Sequence, residues 1–281
     1  MRILFITLAL FACEQNAAGQ NAADARITLE PGWVLDGLDS PESVIPDKDG
    51  TFLYVSNVNG EGEAKDANGY IARVSLDGEI IERNWATDLD APKGLALADG
   101  VLYVSDIDQL VLIDARSGEV MDRVAVPGAD FLNDTAATEG GVLVSDSGSA
   151  RIYQYKDGAI SVLIEDDRLS GVNGLLPAAD GLYITTMTAG ELLFLANGST
   201  ELSVIAGGMP DADGVAQLQD GSFLISSWPG ALYHVIPNRE PRLLLDTAAA
   251  EIYLNDFYLL GDRLFVPNWR PGALRSYRVT Y

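Results

Sequence analysis

Residues 131–146 read FLNDTAATEGGVLVSD. Asn133 opens a short run, Glu139-Gly140-Gly141 turns the chain, and Val142-Leu143-Val144 forms a second run ending in Ser145-Asp146. Runs of this length bounded by glycine turns read as two strands of a hairpin. The phrase recurs along the chain as Pro41-Glu42-Ser43-Val44, Pro92-Lys93-Gly94-Leu95, Val172-Asn173-Gly174-Leu175, Ala212-Asp213-Gly214-Val215 and Leu254-Asn255-Asp256-Phe257. Each copy is followed by an apolar run ending in small polar residues: FLYVSN, VLYVSD, VLVSD, LYITT, FLISSW and LFVPN. Successive ring positions are 51, 40, 40, 40 and 42 residues apart. A period of that size marks a radial or stacked repeat, in which equivalent positions converge.

Each copy holds four strand-like stretches, in the third at 133–137, 142–145, 151–155 and 159–164. β-branched and aromatic residues alternate with polar ones, and no sustained helical period appears. Four antiparallel strands repeated six times read as an all-β, six-bladed β-propeller. The last copy runs out after its third strand, while residues 26–35 look like a fourth strand without a blade. The N-terminal strand is therefore expected to complete the last blade, removing two free sheet edges. An open stack of sheets is the alternative.

The chain has 281 residues, 48% of them hydrophobic, which suffices for one closed propeller over 26–281. Arg2 precedes an apolar run too short to span a bilayer, so residues 1–12 read as a signal peptide. Cys13, the only cysteine, follows directly and resembles the lipidated first residue of a bacterial lipoprotein; Phe11 is bulkier than that pattern prefers, so ordinary signal cleavage is the alternative. Residues 13–25 are low in complexity and suit a flexible tether. The expected location is extracytoplasmic, as a membrane-anchored lipoprotein or a secreted or periplasmic protein. One cysteine excludes disulfides within the chain and zinc–thiolate sites. A formal charge of −23 repels phosphate backbones, which argues against a nucleic-acid partner.

In a propeller blade, the loop entering the innermost strand and the loop joining the second and third strands open on one face. The six phrase residues should therefore surround the axis near one mouth. Glu42, Asn133, Asn173 and Asp213 offer only oxygen donors, two of them carboxylates, which suits a divalent cation of the calcium type. His234, the only histidine, falls in a third strand and reads as an ordinary strand residue. The short acidic runs at 47–50 and 211–214 lack the flanking helices and distant glutamate of a helix–loop–helix calcium site; the first reads as a turn. No glycine-flanked serine nucleophile and no phosphate-binding glycine loop is present.

These phrases, in blade order over roughly 27–281, resemble the senescence-marker-protein (regucalcin) and gluconolactonase family, related in architecture to diisopropyl fluorophosphatase and the paraoxonases. The resemblance implies a central divalent metal held by Glu42, Asn133, Asn173 and Asp213, and hydrolysis of lactones or related esters. In that reading the metal polarises the carbonyl or lowers the pKa of water, and Asp213 is the base or nucleophile.

Two departures stand out. Phe131 occupies the position where sugar-lactone members carry an arginine. With Met187, Trp228, Tyr253, Asn255 and Trp269 it is expected to line a substrate pocket for a small hydrophobic ester or lactone. Lys93 puts an ammonium in the ring. It either assists catalysis as an anion or oxyanion partner, or pairs with Glu42 or Asp213 and takes the metal's place, leaving a non-catalytic propeller that binds a ligand or protein. Residues 57–70 lengthen the first repeat and should lie at the mouth, as a lid or a solvated loop.

Overall fold

The computed structural model describes residues 27–281. The expected signal peptide, Cys13 and the tether lie outside the described residues.

Five four-stranded antiparallel sheets carry their strands in sequence order, and a sixth sheet of five strands joins the two ends of the described chain. In blade 3 the strands are Leu132–Thr138, Gly141–Asp146, Arg151–Lys156 and Ala159–Glu165, matching the sequence expectation to within a residue or two. Blade 6 combines Arg263–Arg270 and Ala273–Thr280 with the N-terminal strand Thr28–Asp36. Thr28 pairs with Thr280 and Asp36 with Ala273, so the two ends of the described chain share one sheet and the ring is closed. Among the described residues no helix is long and apolar enough to cross a membrane.

Apolar seams between blades hold the ring together. Ile71 and Leu89 of blade 1 pack with Leu95, Leu102 and Val104 of blade 2, all buried. The closing seam has the same character, with Leu53 and Val55 against Phe265 and Leu274. Full burial of each such side chain contributes about 1.5–3 kcal/mol.

A bulge sits at the same place in five innermost strands. The register slips between Pro41 and Val44, Pro92 and Leu95, Leu132 and Thr135, Val172 and Leu175, and Ala212 and Val215. Two residues there oppose one on the second strand, so a backbone N–H leaves the ladder. In four of the five the hydroxyl near the end of the second strand takes its place. Ser56, Ser145, Thr185 and Ser226 accept from the N–H groups of Ser43, Asp134, Gly174 and Gly214 at 2.8–2.9 Å. The next side chain pins the loop that enters the strand: Asp106 accepts from Asp90 and Ala91, and Asp146 from Asp130 and Phe131.

Blade 6 has Pro267 at the hydroxyl's position, and there the innermost strand splits into Tyr253–Leu254 and Tyr258–Leu260.

Candidate metal-binding pocket at the propeller axis

The bulges place the phrase residues around the axis. Glu42, Lys93, Asn133, Asn173, Asp213 and Asn255 all line one cavity of about 290 Å³. Phe131, Met187, Trp228 and Trp269 form its walls, and Gly62, from the inserted loop of blade 1, completes its rim. Tyr253 is absent from the lining and stands behind Trp228, ring centroids 5.6 Å apart. Trp228 meets Trp269 edge-on at 6.4 Å. His234 lies away from the cavity, hydrogen-bonded to Ser222 Oγ at 2.9 Å in a third strand. Asp47 forms a turn, accepting from Thr51 and Phe52.

Glu42 is 7% exposed and Asp213 4%. Glu42 Oε2 and Asp213 Oδ1 are buried and have no hydrogen-bond partner among the described residues. Burial first, then the charge of Asp256, pushes the Glu42 carboxyl up to about 8, against the opposing pull of Lys93 and Ser43. Asp213 is held well above the carboxylate range by burial and then by Glu42, Asp256 and Asp134. An unpaired buried carboxylate is costly, and a buried acid neutralises unless positive charge is supplied.

The amides are turned to leave oxygen free. Asn133 Nδ2 donates to Ser147 Oγ, Asn173 Nδ2 contacts Met187 Sδ, and Asn255 Nδ2 donates to the Pro41 carbonyl. Each Oδ1 is then the amide atom left to face a ligand. Among the described residues no three His, Cys, Asp or Glu side chains make a metal cluster on their own. The ring mixes two carboxylates with amide oxygens instead, and that donor set fits a hard cation of the calcium type.

Lys93 does not replace such a cation by ion pairing: its Nζ donates to the Gly62 carbonyl at 2.8 Å and the Ala91 carbonyl at 3.2 Å, and lies 4.4 Å from the Phe131 ring centroid. Burial lowers its pKa, opposed by Glu42, Asp106 and Glu63.

Two acids of this cluster escaped the sequence reading. Asp134 and Asp256 follow the ring residues of blades 3 and 6. Asp134 Oδ2 accepts from Leu175 N of the next blade at 2.7 Å, and Asp256 Oδ2 from Ser43 Oγ at 2.9 Å. Burial pushes Asp256 up to about 6 against hydrogen bonds from Phe257 and Ser43. Both line a larger cavity of about 660 Å³ on the other face. That cavity contains none of the six ring residues, so the smaller one is the candidate site. The signal was present: the position after each ring residue reads Ser43, Gly94, Asp134, Gly174, Gly214, Asp256. The glycines are required where blades meet, since a Cβ on Gly94 would lie 2.5 Å from Asp134 Cα and one on Gly174 2.4 Å from the Asp213 carbonyl.

No protein-family model matches the chain, and no curated protein matches it. Solved structures share its fold. A gluconolactonase from Xanthomonas campestris superimposes with a TM-score of 0.65 over 88% of each chain at 16% identity. A putative gluconolactonase gives 0.65 at 15% identity over 91% of this chain and 93% of its own. Virginiamycin B lyase from Staphylococcus aureus, in an inactive form with quinupristin, gives 0.62 at 10% identity over 91% of this chain and all of its own. Gluconolactonase-like six-bladed propellers are thus among its structural neighbours. At these identities the likeness establishes architecture, and a fold of this kind hosts several chemistries.

Proposed function

We propose that the protein is a metal-dependent hydrolase of small hydrophobic lactones or related esters. The observation that carries this reading is the pair of buried oxygens without a partner among the described residues, Glu42 Oε2 and Asp213 Oδ1, set among amide oxygens at an apolar pocket. Glu42, Asn133, Asn173 and Asp213 would hold a calcium-type cation. When bound, that cation supplies Lewis-acid polarisation of the ester carbonyl and lowers the pKa of water.

The chain's own residues do the rest. Asp213 in its ionised form takes a proton from water as the water oxygen adds to the carbonyl carbon, and returns it to the alkoxide as the ring C–O bond breaks. Glu42 balances charge, and the amides of Asn133, Asn173 and Asn255 orient oxygen atoms through their fixed Nδ2 contacts. Phe131, Met187, Trp228 and Trp269 exclude water and receive an apolar substituent. None of these four walls carries a charge to bind the carboxylate or hydroxyls of a sugar acid.

The test is a panel of alkyl δ-lactones, aryl esters and a gluconic-type lactone, assayed with chelator and after calcium is restored. Chelator should abolish turnover, calcium should restore it, and alkyl or aryl substrates should exceed the sugar lactone. Activity indifferent to chelator, or none across the panel, would leave a ligand-binding propeller. The proposal also puts the protein outside the cytoplasm, either on a lipid anchor at Cys13 or as a secreted or periplasmic protein after ordinary signal cleavage. The intact mass of the N-terminus checks this: a diacylated cysteine supports the anchor, a cleaved but unmodified chain supports the secreted or periplasmic form, and an uncleaved chain refutes both.

A further inference from the structure

We propose that residues 58–68 form a strap over the blade 1 sector of the pocket, and that Lys93 is the positioning residue that holds it there. The strap thereby admits substrates with their apolar substituent directed across the ring, past Met187. The substrate half of this inference rests on the hydrolase reading; the strap itself rests on geometry.

The segment is the extra length that makes the first repeat interval 51 residues rather than about 40. Its near foot is tied to its own blade by Val58 N to Ser40 O and Asn59 N to Asp39 O. Its far foot is tied to blade 2 by Ala67 N to Asp90 Oδ1 and by the exposed Lys65–Asp108 pair at 2.7 Å. Exposed pairs of that kind contribute little. The tip is held differently. The Gly62 carbonyl accepts from Lys93 Nζ, and a Cβ on Gly62 would lie 3.9 Å from Trp269. Lys93 belongs to blade 2 and Trp269 to blade 6, so the tip bridges the two blades flanking Glu42. In the opposite sector blade 4 presents Asn173 and Met187.

Lys93 is 3% exposed. Its three N–H donors have two carbonyls and one aromatic face, so no donor is left for an oxyanion. Burying an ammonium with no carboxylate at ion-pair distance is costly. What the arrangement secures is the placement of Gly62.

The experiment compares wild type with Lys93→Met, which keeps the stem and removes the donors, and with a variant whose residues 60–67 are replaced by two glycines. Hydrogen exchange of the 58–68 amides should accelerate about tenfold or more in Lys93→Met, with the blades unchanged. With a monoalkyl δ-lactone and its dialkyl analogue, wild type should favour the first about tenfold. Both variants should bring that ratio near one, and the 60–67 replacement should do so through KM with kcat within about twofold. Unchanged exchange at 58–68 overturns the strap. A fall of about a hundredfold in kcat at constant KM in Lys93→Met overturns the positioning role, because it marks a transition-state contact. If wild type turns over no lactone, the hydrolase reading fails while the exchange measurement still decides the strap.

Discussion

Asp213 carries two burdens at once: a buried oxygen without a donor among the described residues, and three neighbouring acids that raise its pKa. Removing its charge should therefore separate function from stability. Asp213→Asn is expected to cut hydrolysis by about a thousandfold, within the usual range for losing a general base. Its metal-free melting temperature, read by calorimetry, should equal or exceed that of wild type, because one of four clustered carboxylates is gone. A large loss of stability would mean that Asp213 is chiefly a packing residue. The ring residues were legible because repeat phase alone fixes them: a residue at the same point of each phrase must reach the same radius. Asp134 and Asp256 were not, because strand alternation assigns neighbours to opposite faces. The bulge suspends that alternation, so Asn133 lines the mouth while Asp134 reaches the next blade at Leu175.

At the scale of a strand pair, the second-strand hydroxyl is what makes the bulge affordable. Thr185 Oγ1 accepts from Gly174 N and donates to the Asp213 carbonyl, linking blade 4 to the strand that carries the base. Thr185→Val keeps the shape and removes both bonds. It should cost about 1–3 kcal/mol in urea unfolding, the penalty for leaving a buried N–H unsatisfied, and should weaken cation binding along with it. Unchanged stability would show that the bulge needs no hydroxyl. The sequence displayed this residue plainly as the small polar end of each apolar run. Its role could not be read there, because the partner is on another strand and is defined only once the register is known. The split innermost strand of blade 6 is the converse: Pro267 has no hydroxyl to offer, and regular pairing stops beside it.

For the molecule as a whole, two buried acids, Glu42 and Asp213, and two half-buried ones, Asp134 and Asp256, around one axis make stability depend on pH and on cation together. Glu42 is raised to about 8 and Asp256 to about 6, so between roughly pH 4 and 8 the folded chain keeps protons that the unfolded chain has released. Native proton binding exceeding unfolded binding makes stability fall as pH rises through that window. Metal-free protein should thus melt at lower temperature at pH 8 than at pH 5. Added calcium should raise the melting temperature most at pH 8, where the carboxylates are free to bind it. A metal-free melting temperature that rises from pH 5 to 8 would contradict the clustering of these acids. Closure by the N-terminal strand was legible at this scale from a missing fourth strand at one end and a spare one at the other.

The central claim is that Glu42, Asn133, Asn173 and Asp213 converge on a doubly charged ion, and calorimetric titration of chelator-treated protein with calcium tests it most directly. The account predicts one ion per chain, proton release that is larger at pH 6.5 than at pH 8.5, and binding at least about a hundredfold weaker in both Glu42→Gln and Asp213→Asn. Stoichiometric binding unaltered by either substitution, or no binding at millimolar calcium, would contradict it.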